Sequence, residues 1–317
     1  MRLRTAKILF AAFAAVLIAL NGVTLLSAIP YTGGTQVFCD SHVGCIVVAR
    51  DFSAYYEAGY RFIHDPTQVY HEGNLTGDYQ ILPNPQNFRY APFFLPLFMV
   101  PLVAVFDYQN ALRAFDVIQF ALLPLVAYLL FEMMRWFSGR GQSVDRPTFA
   151  GFSLALLLTI LQPYVPSLSD VSSGIWSWSY WRLWVEGEAR VLQTALLVLT
   201  FCLILRDSRF AGLAFVLSSF DPRMSVLSLP LILFLCLKVG NLRRFVASSL
   251  VSFAAVYAPT LLYADLGSQF GATAFIRDFS IYSYEYVPVV SVAAITATVL
   301  LLELSKRRGA QSARAAL

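Results

Sequence analysis

Residues 50 to 62 read RDFSAYYEAGYRF, four charges and five aromatic rings in a chain that is otherwise strongly apolar. At 100° per residue, Phe52, Tyr55, Tyr56, Gly59, Phe62 and Ile63 share one helical face. Arg50, Ser53, Glu57, Arg61 and His64 share the other, an amphipathic pattern suited to lying on a membrane surface. Asp51 breaks the division, because its direction falls at the edge of the aromatic face beside Phe62 and Tyr55. Two readings stand. Asp51 caps the helix by accepting backbone N–H bonds, a role that lowers its pKa and makes it a weaker base. Or it is a catalytic or binding carboxylate turned toward rings and membrane.

The basic residues divide by type. Arg2, Arg4 and Lys7; Arg135, Arg140 and Arg146; Arg206 and Arg209; Lys238, Arg243 and Arg244; and Lys306, Arg307, Arg308 and Arg314 make fifteen of the 23 basic residues, in five short polar segments. The other eight are Arg50, Arg61, Arg89, Arg113, Arg182, Arg190, Arg223 and Arg277, without a lysine among them. A planar guanidinium fork suits phosphate or carboxylate, although Arg outnumbers Lys 20 to 3 throughout the chain. Arg223 interrupts an apolar stretch, where an ionisable residue points to function; its plainer role is a local pair with Asp221 across Pro222.

Cys202 and Cys236 lie inside apolar runs and read as small buried hydrophobes. Cys39 and Cys45 flank DSHVG in a polar loop and admit three readings: a disulfide on an oxidising face, free thiols, or metal ligands with Asp40 and His42. His64 and His71 read as solvated. No HExxH, CxxC, G-x-S-x-G or P-loop occurs, so soluble-type hydrolase or nucleotide chemistry has no support.

The elements that carry these residues follow from composition. The chain is 58% hydrophobic and 13% charged, with a mean hydropathy of +0.63; a soluble domain carries about 25% charge. Apolar runs long enough to span a bilayer recur, without the alternation of a β-barrel, so the chain reads as an all-α polytopic membrane protein of the cell membrane. The positive-inside rule puts the five basic segments and both termini in the cytoplasm, and a net charge of +4 then needs no nucleic-acid partner.

The first span, about residues 8–29 within 1–30, reads as a retained signal anchor or a long signal peptide. An external loop over 31–108 contains the sequon Asn74-Leu75-Thr76 and the proline-broken segment APFFLPLFMVPLVAVF, which is too short and kinked to span and lies in the interface or re-enters. A transmembrane bundle over 109–304 completes about eight crossings. It includes a tryptophan-rich loop whose rings suit the headgroup layer, and an up-and-down excursion that leaves Asp221-Pro222-Arg223 between two short helices. A basic tail, 305–317, closes the chain.

Four local patterns resemble the GT-C superfamily of integral membrane glycosyltransferases, and within it glycosyltransferase family 87, the polyprenyl-phosphate-mannose-dependent group. They are DFSAYYEAGYRF at 51–62, FRYAPFFLPLFMVPL at 88–102, GEARVLQTALLVL at 187–199 and AGLAFVLSSFDPRMSVLSLPLIL at 211–233. Ala91 stands where the family has the first proline of a pair, Glu188 and Arg190 occupy the polar positions of the third pattern, and Asp221 replaces a usual lysine. The resemblance implies a GT-C-like bundle and an inverting transfer of a hexose, mannose in that family, from a polyprenyl-phosphate donor to a glycolipid, glycan or protein acceptor.

By that resemblance Asp51 is the general base, and Arg223, Arg190 and more weakly Arg277 stabilise the leaving phosphate. Tyr55, Tyr56 and Tyr90 stack on sugar or anchor the interface, and Glu188 and Arg89 complete the substrate-binding set. No metal is assigned, and the lipid-linked sugar is a substrate rather than a cofactor. Two other readings remain: a non-catalytic membrane protein that binds or flips a lipid-linked sugar, and a structural partner subunit whose Asp51 is only a cap.

Overall fold

The computed structural model describes residues 1–28, 37–40, 44–47, 50–71, 88–139, 143–161, 184, 187–271 and 299, without the side chains at 27–28, 37–40, 44–47, 50, 161, 222–224 and 226–227. The sequon, Arg277, the tail 305–317 and, except for Val299, the expected last crossing at 287–304 lie outside the described residues.

The described chain is almost wholly helical. Its helices are α1 (Leu3–Ala28), α2 (Arg50–His64), α3 (Val100–Val105), α4 (Tyr108–Phe137), α5 (Arg146–Leu161), α6 (Arg190–Leu205), α7 (Ala211–Ser218), α8 (Pro222–Val239), α9 (Leu242–Leu262) and α10 (Leu266–Phe270). A small antiparallel hairpin, β1 (Val37–Asp40) and β2 (Gly44–Val47), precedes α2 and sets Cys39 opposite Cys45. Three helical stretches, Leu3–Leu26, Tyr108–Phe137 and Leu242–Phe270, are long and apolar enough to cross a membrane. Ile8, Val16, Val23 and Leu26 on α1, and Leu250, Val251 and Phe253 on α9, are exposed, as expected of faces whose solvent is lipid.

Side-chain contacts give the helix directions. The Met1 amino group donates to the Val144 carbonyl at 2.9 Å, so the start of α1 lies beside the turn between α4 and α5. Farther up α1, the Asn21 amide donates to the Ile160 carbonyl of α5 at 3.2 Å, and Gly22 faces the Phe120 ring of α4. Helices α1 and α5 therefore run parallel, with α4 antiparallel to both. The Cys202 thiol of α6 donates to the Leu129 carbonyl of α4 at 3.2 Å, while Gly187, just ahead of α6, meets Leu112. That pair runs parallel.

At the far end of α6, Asn241 donates to the Ile204 carbonyl at 3.0 Å and Arg206 to Glu132 at 2.9 Å. Four of the five basic segments, around 2–7, 135–146, 206–209 and 238–244, thus gather at one end of the bundle; the fifth lies outside the described residues.

The excursion between the third and fourth of these segments does go up and return. Its rising limb, α7, has eight residues and rises only about 12 Å, too little to cross a hydrocarbon core of about 30 Å. It is held instead by close packing. A Cβ at Gly212 would collide with Ser248 and the Ser249 backbone of α9, the approach that small residues permit between membrane helices. The proline-broken segment also stays short: a wide π-turn over Leu95–Met99 leads into α3, where Pro101 has no N–H to continue the ladder. Trp184 departs from the headgroup expectation. It is fully buried, and its indole N–H donates to Asn21 at 3.3 Å.

Candidate functional site

Helix α2 carries Asp51 as its second residue, inside the first turn, where a carboxylate is favoured by the helix dipole. The aromatic face packs as its spacing predicts. Phe52 is buried against Phe115 and Tyr108 of α4, with ring centroids 5.4 and 5.6 Å away. Gly59 admits the π-turn and α3, since a Cβ there would lie 2.9 Å from Val103.

The polar face does not lie in water. Ser53, Glu57 and Arg61 are all buried, so the expected surface-lying helix is instead enclosed on both faces. What makes that burial tolerable is pairing. Arg61 lies 3.6 Å from Glu57 one turn away and donates to the Gln68 and His71 carbonyls at 3.3 and 3.4 Å. Burial lowers the Arg61 pKa and the Glu57 carboxylate opposes that shift. Among the described side chains of the polar stripe, His64 at its end is exposed, and His71 in the following loop is exposed as well.

Tyr55 is the centre of the arrangement. Its hydroxyl donates to the Tyr90 hydroxyl at 2.8 Å and the two rings stack at 5.0 Å. Tyr90 is held in turn by Tyr70, whose hydroxyl donates to the Tyr90 carbonyl at 2.6 Å, and by the Ala91 N–H, which donates to the Phe220 carbonyl at 2.8 Å. Burial pushes the Tyr55 phenol well above its ordinary value, and the neighbouring Tyr90, Asp51 and Glu188 push it further. Asp51 and Glu188, 137 positions apart in sequence, therefore both lie within electrostatic reach of one phenol.

Glu188 and Arg190 arrive on a segment that a glycine makes possible. Gly187 has φ +65°, and a Cβ on it would lie 2.6 Å from Phe52 and 2.8 Å from Leu112. With no side chain there, the chain sits directly on α2 and α4. Glu188 is buried and takes Arg190 by two prongs: Nη2 donates to Oε1 at 2.7 Å, and Nε pairs with Oε2. Behind them Gln193 donates to the Ser218 and Asp221 carbonyls at 3.0 and 2.9 Å, stitching the α7–α8 turn to the start of α6.

The structure thus brings Asp51, Tyr55, Tyr90, Glu188 and Arg190 together, with half-buried Arg89 adjoining Tyr90 in sequence. Tyr56 turns elsewhere, donating to the Phe106 carbonyl at 3.0 Å with its ring edge-on to Tyr108. Asp221 is buried at the α7–α8 turn, and Arg223 follows as the second residue of α8, its side chain outside the description. Cys39 and Cys45 are placed by backbone alone. Among the described residues, no three His, Cys, Asp or Glu side chains gather as a metal site.

Sequence reasoning missed three groups: the Glu57–Arg61 pair, Gln193, and the buried Asp116 and Gln119 of α4. Asp116 Oδ1 and both polar atoms of Gln119 find no hydrogen-bond partner among the described residues. The signal for Asp116 was there to use, an acid set within a long apolar segment.

As chemistry, the cluster offers a partly open carboxylate that can take a proton, an oriented guanidinium that suits an anion, and in half-buried Tyr90 a ring that suits a sugar face, Tyr55 itself being buried. Comparison with protein-family models, with curated proteins and with solved structures gives no match to this chain.

Proposed function

We propose that the chain is an inverting glycosyltransferase of the GT-C kind, moving a hexose from a polyprenyl-phosphate donor to an acceptor at the end of the bundle opposite the basic segments. With those segments in the cytoplasm, as the positive-inside rule has it, transfer takes place on the external face. The observation that carries the reading is the packing of Gly187 on Phe52, the sequence neighbours of Glu188 and Asp51, because it joins two of the motifs on which the resemblance rests.

In this reading Asp51 accepts the proton of the acceptor hydroxyl as that oxygen bonds to the anomeric carbon. The bond from that carbon to the phosphate oxygen breaks, and its electron pair leaves with the polyprenyl phosphate. Proton transfer to a positioned base contributes about 10²–10⁴-fold. Arg190, oriented by Glu188, and Arg223, at the start of α8, are assigned to the charge that grows on the phosphate. Mannose, as in the family resembled, is the first donor to test.

The test uses the purified full-length chain in detergent or vesicles, with polyprenyl-phosphate sugars and a panel of glycan acceptors. Asp51→Asn keeps the shape and removes the base; transfer falls by about 10²-fold or more while the melting temperature holds. Undiminished transfer by the variant would remove Asp51 from the chemistry. Wild-type protein that binds labelled donor but transfers nothing to any acceptor would favour a lipid-linked-sugar binding or flipping protein instead.

A further inference from the structure

At the opposite end of the bundle, a cavity of ≈ 300 Å³ opens between the C-terminal ends of α4 and α6, lined by Glu132, Arg135, Trp136, Cys202, Leu205 and Arg206 among others. Its polar wall is one carboxylate gripped by two guanidiniums: Arg135 Nη1 donates to Glu132 Oε1 at 2.8 Å, and Arg206 Nη2 to Glu132 Oε2 at 2.9 Å. The formal charge of this triad is +1. Lys238 adds another cation, its ammonium 5.5 Å from the centre of the Trp136 ring.

The cations face outward. The Arg135 and Arg206 side chains are 41% and 50% exposed, against 17% for Glu132 beneath them. Arg135 Nε is buried and meets no acceptor among the described residues, which is costly for a buried donor. Helix C-termini attract cations and account for an arginine near each helix end. They do not account for a cavity above those arginines, for the surplus charge, or for the orphan N–H.

The surroundings indicate where a balancing anion would come from. One turn up α4, on the same face as Glu132, Tyr128 is 54% exposed. Leu125 of α4 and Leu233 and Leu237 of α8 are exposed as well. An acyl chain can lie along such apolar surface while its headgroup phosphate enters the pocket, and basic pockets between membrane helices take anionic headgroups in this way.

We propose that this pocket binds the phosphodiester of an anionic membrane phospholipid, with Arg135 and Arg206 as the contacting cations. The site is separate from the Asp51 cluster and does not depend on the glycosyl-transfer reading.

Native mass spectrometry of the full-length protein in neutral detergent tests it, with phosphatidylglycerol, phosphatidylcholine and soluble glycerol phosphate as probes. Phosphatidylglycerol binds about tenfold more tightly than phosphatidylcholine, and the Arg135→Gln, Arg206→Gln double variant loses that preference. Glu132→Gln removes the internal competitor and tightens phosphatidylglycerol several-fold; a purely structural triad would show no gain. The single variant keeps the proposal open to refutation should the double variant fail to fold. Equal binding of both lipids, or unchanged affinity in Glu132→Gln, overturns the site. Glycerol phosphate binding as tightly as phosphatidylglycerol overturns the lipid as its source.

Discussion

Tyr55 shows how one side chain ties the candidate site together. Removing its hydroxyl in Tyr55→Phe loses the bond to Tyr90 and leaves the stacked ring, so stability falls by about 1 kcal/mol near neutral pH. The pH dependence has a definite sign. Tyr55 and Tyr70 are held above the ordinary phenol value of 10.0, in each case chiefly by burial. The unfolded chain releases these protons near that value and the folded chain keeps them. Their contribution is therefore complete below pH 10 and is lost as pH rises through the folded values. Melting curves above pH 10 are expected to show a steeper loss for wild type than for Tyr55→Phe, and equal slopes would contradict the burial of this phenol. At this scale the sequence was partly legible. Asp51, Tyr55 and Tyr90 were marked by charge among rings, whereas the roles of Glu57 and Arg61 were misread. Helical projection separates faces, and it does not say which face meets water.

At the scale of elements, Gly187 sets the approach of the α6 entrance to α2. In Gly187→Ala the new Cβ meets Phe52 and Leu112 while the residue keeps φ at +65°. Strain and overpacking of this kind each cost about 1–3 kcal/mol. A drop in melting temperature accompanied by lower transfer activity is expected, and a variant that melts as wild type does would show the contact to be slack. The hairpin before α2 makes a covalent prediction. Its register sets Cys39 against Cys45, and directly opposed antiparallel residues have Cα atoms about 4.5–5.5 Å apart, within the range of about 4.4–6.8 Å that a disulfide spans. With the hairpin on an oxidising face, non-reducing peptide mapping is expected to recover the two cysteines in one linked fragment. Complete alkylation of both thiols in unreduced protein would leave them free. The sequence set out the choice among disulfide, thiols and metal, and the peptide map decides it.

For the whole molecule, the gathering of four basic segments at one end makes orientation testable. The exposed ends Gly139, at the basic end, and Gln109, at the start of α4, serve as reporters. In a background with Cys39 and Cys45 replaced by serine, an impermeant thiol reagent added to intact cells is expected to label Gln109→Cys and spare Gly139→Cys. The reverse pattern would turn the molecule over and place the Asp51 cluster in the cytoplasm.

What the chain determined by itself was its class, helical and apolar. Composition and run length suffice for apolar helices, because lipid obliges every backbone group to bond within its own span. The shortness of 91–106 was equally local, written in the positions of its prolines. Pairing across distance was not. Glu188 is brought up to α2 only because Gly187 packs on Phe52. Glu57 and Arg61 became buried only when other parts of the chain closed over them. Asp116 and Gln119 were turned inward by the packing of α4. Helical periodicity assigns a direction to each side chain, and only the tertiary structure decides what stands in that direction.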